Sequence, residues 1–395
     1  MGYKLSQRSS LGETFLKHHR LKISCVFVAF FNTVLISWAS TESIGTCAKN
    51  LKAPVIHLIV PDFVDSHFWS NYVNLTKIAS KQYEIDLNVY YIDRLERSRF
   101  NFANKIEQII STSKRPDYII SFFLSHSEKS IIALANKHQL KFFSINSPFS
   151  ERVESTLGRP REKDSFWIGH ISPDDQQVGY DVANFLLSNR DSFNEQLSLL
   201  AINGSRESEV AEMRSKGLIK RINETEDVSL LQIIYTDWSF QQGKEKVNKL
   251  LKRFNDIKLV WSASDVLTVA ARQEFDLLDL DITQQPTFAS IDWSPQIVPL
   301  LKNEKVAVSF GGHFFEGAWL LGLIFDHFNG LDFYNELGSV ISYPLQPVTA
   351  GNSDLILSIE GKNFDFKQLS KCLTPAKKTY SFDAMLLLKN SIKPG

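Results

Sequence analysis

Three aromatic residues of this 395-residue chain follow short apolar runs, at positions suited to holding a small molecule. Phe68 and Trp69 come after the run at 55–60, and Trp238 comes after the run at 230–235. A single aromatic there is typical of a core residue, but two adjacent ones cannot both point inward from one helix face. Aromatic faces stack on the C–H face of a sugar ring, while polar groups take its hydroxyls. One aromatic from each half of the chain would sandwich such a ring.

Polar side chains follow other apolar runs in the same way. They are Ser121, Asn146, Ser264, Asp265 and Asp292. Arg214 lies within a helical pattern, and its guanidinium offers several donors in fixed directions, which suits hydroxyls, a carboxylate or a phosphate. Each of these residues alone is typical of a helix cap or a turn. Their recurrence after strands in both halves favours one shared ligand-binding site.

Sequence motifs of catalysis do not occur in the chain: there is no His-Glu-x-x-His, Cys-x-x-Cys, Gly-x-Ser-x-Gly or P-loop spacing. His126, His170 and His313 have no Ser or Cys partner at a recognisable spacing. We therefore expect no enzyme activity, no catalytic residue, no metal and no cofactor. The 44 basic and 44 acidic residues balance, which argues against a nucleic-acid partner.

Strands and helices are predicted to alternate from residue 52 onward, which is the pattern of α/β proteins with parallel sheets. A first series runs from the strand at 55–60 to the strand at 167–171. A second series begins with the helix at 176–188 and ends with the strand at 340–343. Two series of this length predict two doubly wound parallel-sheet lobes joined by a multi-strand hinge.

The lobe boundaries are placed where the chain crosses from one series to the other. We assign 52–171 plus 312–342 to the N-terminal lobe, and 172–311 plus 343–395 to the C-terminal lobe and tail. The hinge candidates are Ser172, Gly311 and Gly312. Paired glycines suit a segment whose backbone rotates, although they also simply end strands. Ligands of open α/β sheets bind beyond the carboxyl ends of the strands, so both lobes would line one cleft.

The N-terminus has the pattern of an export signal. A basic stretch at 17–22 precedes the apolar run at 23–38, and small side chains place a cleavage site after Ala39. We expect residues 1–39 to be a cleaved signal peptide, which makes the protein periplasmic, and residues 40–51 to be an N-terminal extension. An uncleaved membrane anchor is the alternative.

The cysteines fit the same compartment. Cys25 lies in the signal peptide, which leaves Cys47 and Cys372 as an even pair in a disulfide-permissive environment. They could tie the N-terminal extension to the C-terminal tail. Two unpaired thiols are the alternative, because the sequence gives no distance between them, and lipidation of Cys47 is a third option.

Taken together, these motifs resemble the type I periplasmic binding proteins, the ribose- and galactose-binding family of exported solute receptors. The resemblance runs from about Lys52 to about Pro347. The turn at 65–69 matches the family's first-strand turn, in which a polar residue, here Ser66, and two aromatics touch the sugar. The helix around Arg214 resembles the family's arginine helix. The remaining matches are the segments 236–238, 262–265 and 288–292.

Two departures imply a more neutral and aromatic pocket than that of the ribose-type receptors. Asn146 and Ser147 stand where those receptors carry Asp-Arg, and Ser264 stands where they carry Asn. The first turn is also similar to that of the autoinducer-2 receptor, a member of this family that signals through a membrane kinase. Its pocket tryptophan and arginine would correspond to Trp69 and Arg214.

The resemblance implies an exported solute-binding protein that closes its lobes on a small polar, sugar-like ligand and presents it to a membrane ABC transporter permease. The alternative is a ligand receptor for a membrane sensor kinase or cyclic-nucleotide enzyme, which would have a similar pocket. A ligand-sensing transcription repressor shares the two-lobed core but needs an N-terminal helix-turn-helix. The residues before the first strand are instead basic and then apolar.

Overall fold

Two six-stranded sheets form the cores of two lobes in the computed structural model of this chain. The structure describes residues 45–61, 67–93, 98, 101–188, 196–278, 280–281, 284–359 and 363–391. The predicted signal peptide, residues 1–39, lies outside the described residues, as do Ser66 and the start of the predicted extension up to residue 44.

The first lobe contains a sheet of six parallel strands with helices between them. Its first elements are β1 Val55–Pro61, α1 His67–Gln82, β2 Asp86–Ile92, α2 Phe102–Thr112, β3 Tyr118–Phe122, α3 Glu128–His138, β4 Lys141–Ile145, α4 Glu151–Leu157 and β5 Trp167–Pro173. The chain later returns through α10 Glu316–Phe328, α11 Tyr334–Leu337 and β11 Val340–Tyr343. The strand order is β11-β5-β4-β3-β1-β2. Every residue of β3 is buried, as expected for a parallel strand that helices cover on both faces.

The second lobe repeats this arrangement. Its elements are α5 Asp175–Ser188, β6 Leu197–Asn203, α6 Glu209–Asn223, β7 Val228–Tyr235, α7 Phe240–Leu251, β8 Leu259–Ser262, α8 Asp265–Asp276, β9 Thr287–Asp292, α9 Val298–Lys302, β10 Val308–Gly311 and β12 Gln346–Val348. The strand order is β12-β10-β9-β8-β6-β7. The pairing of β10 with β12 is antiparallel, and the other pairs are parallel.

The predicted fold class is confirmed, because each lobe is an α/β unit with a parallel-dominated sheet. The helix predicted at 176–188 is α5, and the strand predicted at 340–343 is β11. A 3₁₀ turn, Pro295–Ile297, precedes the short α9. The elements α4 and β12 were not predicted. Among the described residues, no helix is both long and apolar enough to span a membrane.

The hinge candidates lie where the chain passes between the sheets. Ser172 is near the end of β5 and pairs with β11 of the same sheet. A Cβ atom on Gly311 would lie 2.5 Å from the indole ring of Trp293, and one on Gly312 would lie 2.6 Å from the Cβ of Ala384. Gly312 also has a φ of 102°, which disfavours other residues. Close packing thus requires both glycines, and rotation about them stays a prediction.

The C-terminal tail departs from the assignment of 343–395 to the C-terminal lobe. Its part around Cys372 packs instead on α1 and α10 of the first lobe. The reason is Asp326, a fully buried residue of α10 that accepts hydrogen bonds from the Tyr380 hydroxyl at 2.8 Å and the Cys372 amide at 3.1 Å. Cys47 and Cys372 form a disulfide with their Cα atoms 5.5 Å apart. The N-terminal extension and the tail are therefore joined on the first lobe.

Candidate functional site

Residues at the carboxyl ends of strands in both sheets contact each other, and these contacts locate a cleft between the lobes. Phe68, in the first turn of α1 after β1, stacks on His313, with ring centroids 4.4 Å apart and an interplanar angle of 27°. His67 contacts Gln296, which follows β9 in the second lobe. The carboxyl ends of the two sheets thus face one another, as the predicted cleft requires.

A second contact between the lobes involves the N-termini of three helices. Arg152 of α4 donates through Nη2 to Glu128 at 2.6 Å and to Glu209 at 2.9 Å. Ser150 also donates to Glu209. Glu128 begins α3 in the first lobe and Glu209 begins α6 in the second, and their side chains are only 5% and 8% exposed. One guanidinium therefore pairs with two nearly buried carboxylates from different lobes.

Arg214 lies at the centre of a buried charged cluster in the second lobe. Its Nε donates to Asp175 Oδ1 at 2.8 Å, and its Nη1 donates to the Ala263 carbonyl at 2.6 Å. Asp292 Oδ1 lies 3.9 Å from the same Nη1. Burial raises the pKa of the Asp175 carboxyl, and the charge of Arg214 opposes that rise. The structure thus brings two predicted ligand-binding residues, Arg214 and Asp292, together.

His313 connects this charged cluster to the first lobe. Its Nε2 lies 3.4 Å from Asp292 Oδ1, and its ring stacks on Phe68. Burial, assisted by the charge of Arg214, lowers the pKa of His313 to about 3. The imidazole is therefore neutral near pH 7, with one donor nitrogen and one acceptor nitrogen.

Asp265 lies beside Asp292, but both of its carboxyl oxygens already accept hydrogen bonds within the second lobe. It accepts hydrogen bonds from the hydroxyls of Ser290 and Ser309 and from the Ser294 amide, the last two at 2.8 and 2.6 Å. Burial raises the pKa of both carboxyls to about 7, and the charge of Asp292 adds to the shift at Asp265. Asp292 is thus the carboxylate of this pair that remains for a ligand. No three His, Cys, Asp or Glu side chains in the described part of the chain are grouped to hold a metal ion.

The two predicted tryptophans are partly exposed residues of different lobes. The Trp69 ring centroid lies 5.2 Å from that of Tyr72 and 6.0 Å from that of Phe122. Trp238 lies against Gly204, where a Cβ atom would overlap its indole ring. Neither tryptophan is enclosed in a core as Trp261 is, with no exposed surface.

The predicted serines have roles within their own lobes. Ser264 is the N-cap of α8, and its Oγ accepts the Leu267 amide at 3.5 Å. Ser121 is fully buried in β3, and its Oγ donates to the Phe122 carbonyl at 3.1 Å. Ser264 thus has the cap role that such residues commonly have, whereas Ser121 is a buried strand residue. A ligand contact from either serine stays a prediction.

Three predicted site residues have left-handed backbone conformations. Asn146, Trp238 and Asp292 have φ values of 48°, 68° and 127°. Residues other than glycine rarely adopt positive φ, and such positions concentrate at functional sites. Asn146 is partly exposed, and its backbone N–H donates to the Ile171 carbonyl at 3.1 Å. All three lie at or shortly after the carboxyl end of a strand, where the ligand cleft is predicted.

Asp175 and His313 were not among the predicted site residues. The helix dipole alone accounts for an acidic residue in the first turn of a helix. The position of Asp175 therefore did not indicate its ion pair with Arg214, 39 residues away. His313 directly follows the hinge candidate Gly312, and that position was the only sequence signal for it.

Solved structures similar to this chain are binding proteins. A periplasmic sugar-binding protein from Pseudomonas fluorescens is 25% identical, with a TM-score of 0.74 over 85% of this chain and 99% of that chain. An ABC transporter periplasmic solute binding protein from Actinobacillus succinogenes with bound D-allose is 16% identical, with a TM-score of 0.62 over 76% and 99%. The periplasmic binding protein component of the arabinose ABC transporter from Shewanella sp. ANA-3, bound to α- and β-L-arabinofuranose, is 16% identical, with a TM-score of 0.63 over 78% and 99%.

The family comparison covers most of both lobes. Residues 56–327 match the family described as "Periplasmic binding protein domain", a segment that begins in β1 and ends in α10. No curated protein sequence matches the chain. The matched segment is more than half of the 395 residues, and the fold agrees with it, so the chain belongs to the periplasmic binding protein family and has the two-lobed fold of its type I members.

Proposed function

We propose that this protein binds a small polar, sugar-like ligand between its two lobes. The observation that carries the proposal is the position of His313. Its ring stacks on Phe68 of the first lobe, and its Nε2 lies 3.4 Å from Asp292 of the second lobe. An aromatic face and a carboxylate acceptor therefore meet where the lobes meet, and a sugar ring needs both kinds of contact.

The ligands of similar structures support a sugar as the ligand. The similar proteins include a sugar-binding protein, one with bound D-allose and one bound to L-arabinofuranose. These proteins are named as binding or transport components, which supports a role for this chain in binding without chemical change to the ligand.

The proposed mechanism is closure of the lobes. A ligand that contacts both lobes stabilises the closed form by the contacts that the open form lacks. The crossing segments near Ser172, Gly311 and Gly312 would absorb the rotation. The bond from Arg152 to Glu209 joins the lobes at a place apart from the Arg214 cluster, and it adds to the stability of the closed form.

The proposed setting is the periplasm, and the proposed partner is an ABC transporter permease. Residues 1–39 would direct export and be removed. The relative from Shewanella sp. ANA-3 is named as a component of an ABC transporter, which supports this partner. Fractionation of cells that express the full chain would recover the protein in the periplasmic fraction, shortened by its leader.

A thermal-shift panel tests the binding function. The panel consists of D-allose, L-arabinose, D-galactose, D-ribose, myo-inositol and nucleosides, followed by calorimetry of the best ligand. A ligand at 100 times its Kd adds about 2.7 kcal/mol of stability. Asp292→Ala should abolish the shift, whereas Leu277→Ala, at a position 73% exposed on the second lobe, should retain it. A panel without any shift, or an unchanged shift in Asp292→Ala, would contradict the proposed function.

A further inference from the structure

Two buried acceptor atoms near Arg214 have no hydrogen-bond partner among the described residues. They are Asp175 Oδ2 and His313 Nδ1. The residues are 2% exposed each. Buried polar atoms nearly always have a hydrogen-bond partner. A buried atom without one in a native structure therefore marks a place where water, an ion or a ligand can bind. Asp175 contacts Arg214 and His313 contacts Asp292, and both of these neighbours are predicted ligand-binding residues.

Their positions follow from their bonded neighbours. Asp175 uses Oδ1 to accept the Arg214 Nε at 2.8 Å, which leaves Oδ2 as the free oxygen of a fixed carboxylate. His313 is held by the stack on Phe68 and by Asp292 at 3.4 Å. Asp175 and His313 thus each carry one unsatisfied polar atom, and they contact Arg214 and Asp292 respectively.

The His313 ring presents an acceptor nitrogen to the site. The ionised form of Asp292 only accepts hydrogen bonds, so in that form the Nε2 that faces it carries the hydrogen. Burial keeps the ring neutral by lowering its pKa to about 3. In the neutral ring the other nitrogen, Nδ1, is then an acceptor. A ligand atom beside it must donate.

The charge of Arg214 is already balanced within the cluster. Its Nε and Nη1 donate to Asp175 and to the Ala263 carbonyl, and Asp292 lies 3.9 Å from Nη1. One cation therefore faces two carboxyl groups. An anionic ligand would lose its hydration on binding. It would find no unpaired positive charge at this site to offset that loss.

We propose that Asp175 Oδ2 and His313 Nδ1 each accept a hydrogen bond from a hydroxyl of the ligand, and that this acceptor pair selects neutral polyhydroxyl ligands over sugar phosphates and sugar acids. This inference rests on the proposed function and deepens it. It assigns ligand contacts to two residues of the cluster and makes Arg214 mainly the residue that orients the Asp175 carboxylate.

The first experiment compares ligand classes on the wild-type protein. Calorimetry measures Kd for the best-binding neutral sugar of the panel, for its uronic acid and for its sugar phosphate. The inference predicts that both anions bind at least tenfold more weakly than the neutral sugar. Equal or tighter binding of either anion overturns it, while leaving the proposed sugar-binding function in place. If no compound in the panel binds, the proposed function fails and this inference fails with it.

The second experiment removes each acceptor separately. Asp175→Asn removes one of the two carboxyl groups that face Arg214, so Kd for the neutral sugar should rise tenfold or more while Kd for the uronic acid falls. His313→Phe keeps an aromatic ring on Phe68 but removes Nδ1, and Kd for the neutral sugar should rise tenfold. If Asp175 had a purely structural role, Asp175→Asn would raise Kd for the neutral sugar and for the uronic acid by the same factor. The ratio of the two Kd values would then be unchanged, which would overturn the inference.

A matched control comes from another buried histidine. His57 of β1 also contacts an aromatic ring, with its centroid 4.9 Å from that of Tyr90, and also has a buried nitrogen without a partner among the described residues. His57→Phe should leave Kd unchanged. Should Asp175→Asn fail to fold, His313→Phe and a structure of the wild-type complex decide the question. A bound sugar with no hydroxyl within hydrogen-bond distance of His313 Nδ1 or Asp175 Oδ2 overturns the inference.

Discussion

Arg152 of the first lobe donates to Glu209 of the second lobe at 2.9 Å. The same guanidinium donates to Glu128 of the first lobe at 2.6 Å. Both glutamate residues are less than one tenth exposed, at 3% and 9%. Because nearly buried carboxylates need a counter-ion, Arg152 makes this contact between the lobes compatible with the charges of the two glutamates.

Removal of Arg152 should favour the open form. In Arg152→Met the two carboxylates would face each other without a cation, and opening of the lobes would rehydrate both of them. We expect the radius of gyration of the ligand-free protein to increase and Kd for its sugar ligand to rise roughly threefold to thirtyfold, or about 0.7 to 2 kcal/mol. Small-angle X-ray scattering and calorimetry measure these two changes.

Lys114→Met is the matched control for this variant. Lys114 forms an ion pair with Asp86 at 3.2 Å within the first lobe, where both side chains are more than half exposed. Such surface pairs contribute little, so scattering and affinity should match the wild type. If Arg152→Met also matched the wild type in both measurements, the bond to Glu209 would have no part in closure.

Truncation of the two predicted ligand-binding tryptophans should lower ligand affinity more than it lowers the stability of the fold. Trp69 and Trp238 are partly exposed, so Trp69→Ala and Trp238→Ala lose less packing than a core residue would. We expect Kd for the sugar ligand to rise at least tenfold in each variant while thermal unfolding stays cooperative. Trp261→Ala, at a position with no exposed surface, should instead lose about 3 to 5 kcal/mol of stability. Unfolding of the Trp69 and Trp238 variants to the same extent would identify those side chains as core residues.

Much of the fold was predictable because its signals are local. A parallel strand covered on both faces is apolar along its length, and all five residues of β3 are buried. The seven-residue helix α4 was missed because so short a segment carries little periodicity. Its start depends on the Ser150 cap and on the contact of Arg152 with Glu209, both of which require the folded lobes.

The positions of the site residues were predictable, but their pairings were not. Parallel topology places residues such as Asp292 at the carboxyl edge of a sheet, whatever the side chains do. The ion pair between Arg214 and Asp175 depends instead on how α5 and α6 pack, since 39 residues separate the two. The contact of His313 with Asp292 depends on how the segment after β10, where the chain crosses between the lobes, packs against the end of β9.

The carboxyl pair should give the protein a distinct dependence on pH. Burial raises the pKa of Asp265 and Asp292 from 3.8 to about 7, so the folded state holds protons that the unfolded chain releases. The stability from this pair is therefore fully present below pH 3.8 and is lost as pH rises through about 7. Between pH 5 and pH 8, the free energy of unfolding of the wild type should fall relative to that of Asp292→Asn by roughly 1 to 3 kcal/mol.

Urea unfolding of the ligand-free proteins at the two pH values measures this difference. Comparison with the variant is needed because burial lowers the pKa of His170 and His313 to about 3. These groups act in the opposite direction, since their contribution is lost as pH falls below their ordinary value of 6.5. Asp256→Asn, at a side chain 68% exposed, serves as the control and should follow the wild type. A pH-independent difference between the wild type and Asp292→Asn would show that the pair does not titrate in this range.

Loss of the disulfide should destabilise the protein without abolishing ligand binding. The bond between Cys47 and Cys372 spans 325 residues, and removal of a native disulfide typically costs about 2 to 5 kcal/mol of stability. Asp326 would still hold the tail, because it accepts hydrogen bonds from the Cys372 backbone N–H and the Tyr380 hydroxyl. Kd should therefore change less than threefold.

Thermal unfolding of the double variant Cys47→Ser/Cys372→Ser, with and without reductant, measures the loss. Reductant should lower the unfolding temperature of the wild type to that of the variant and leave the variant unchanged. A wild type insensitive to reductant, with no peptides joined through these cysteines in mass spectrometry, would mean that the two thiols are not paired in the folded protein.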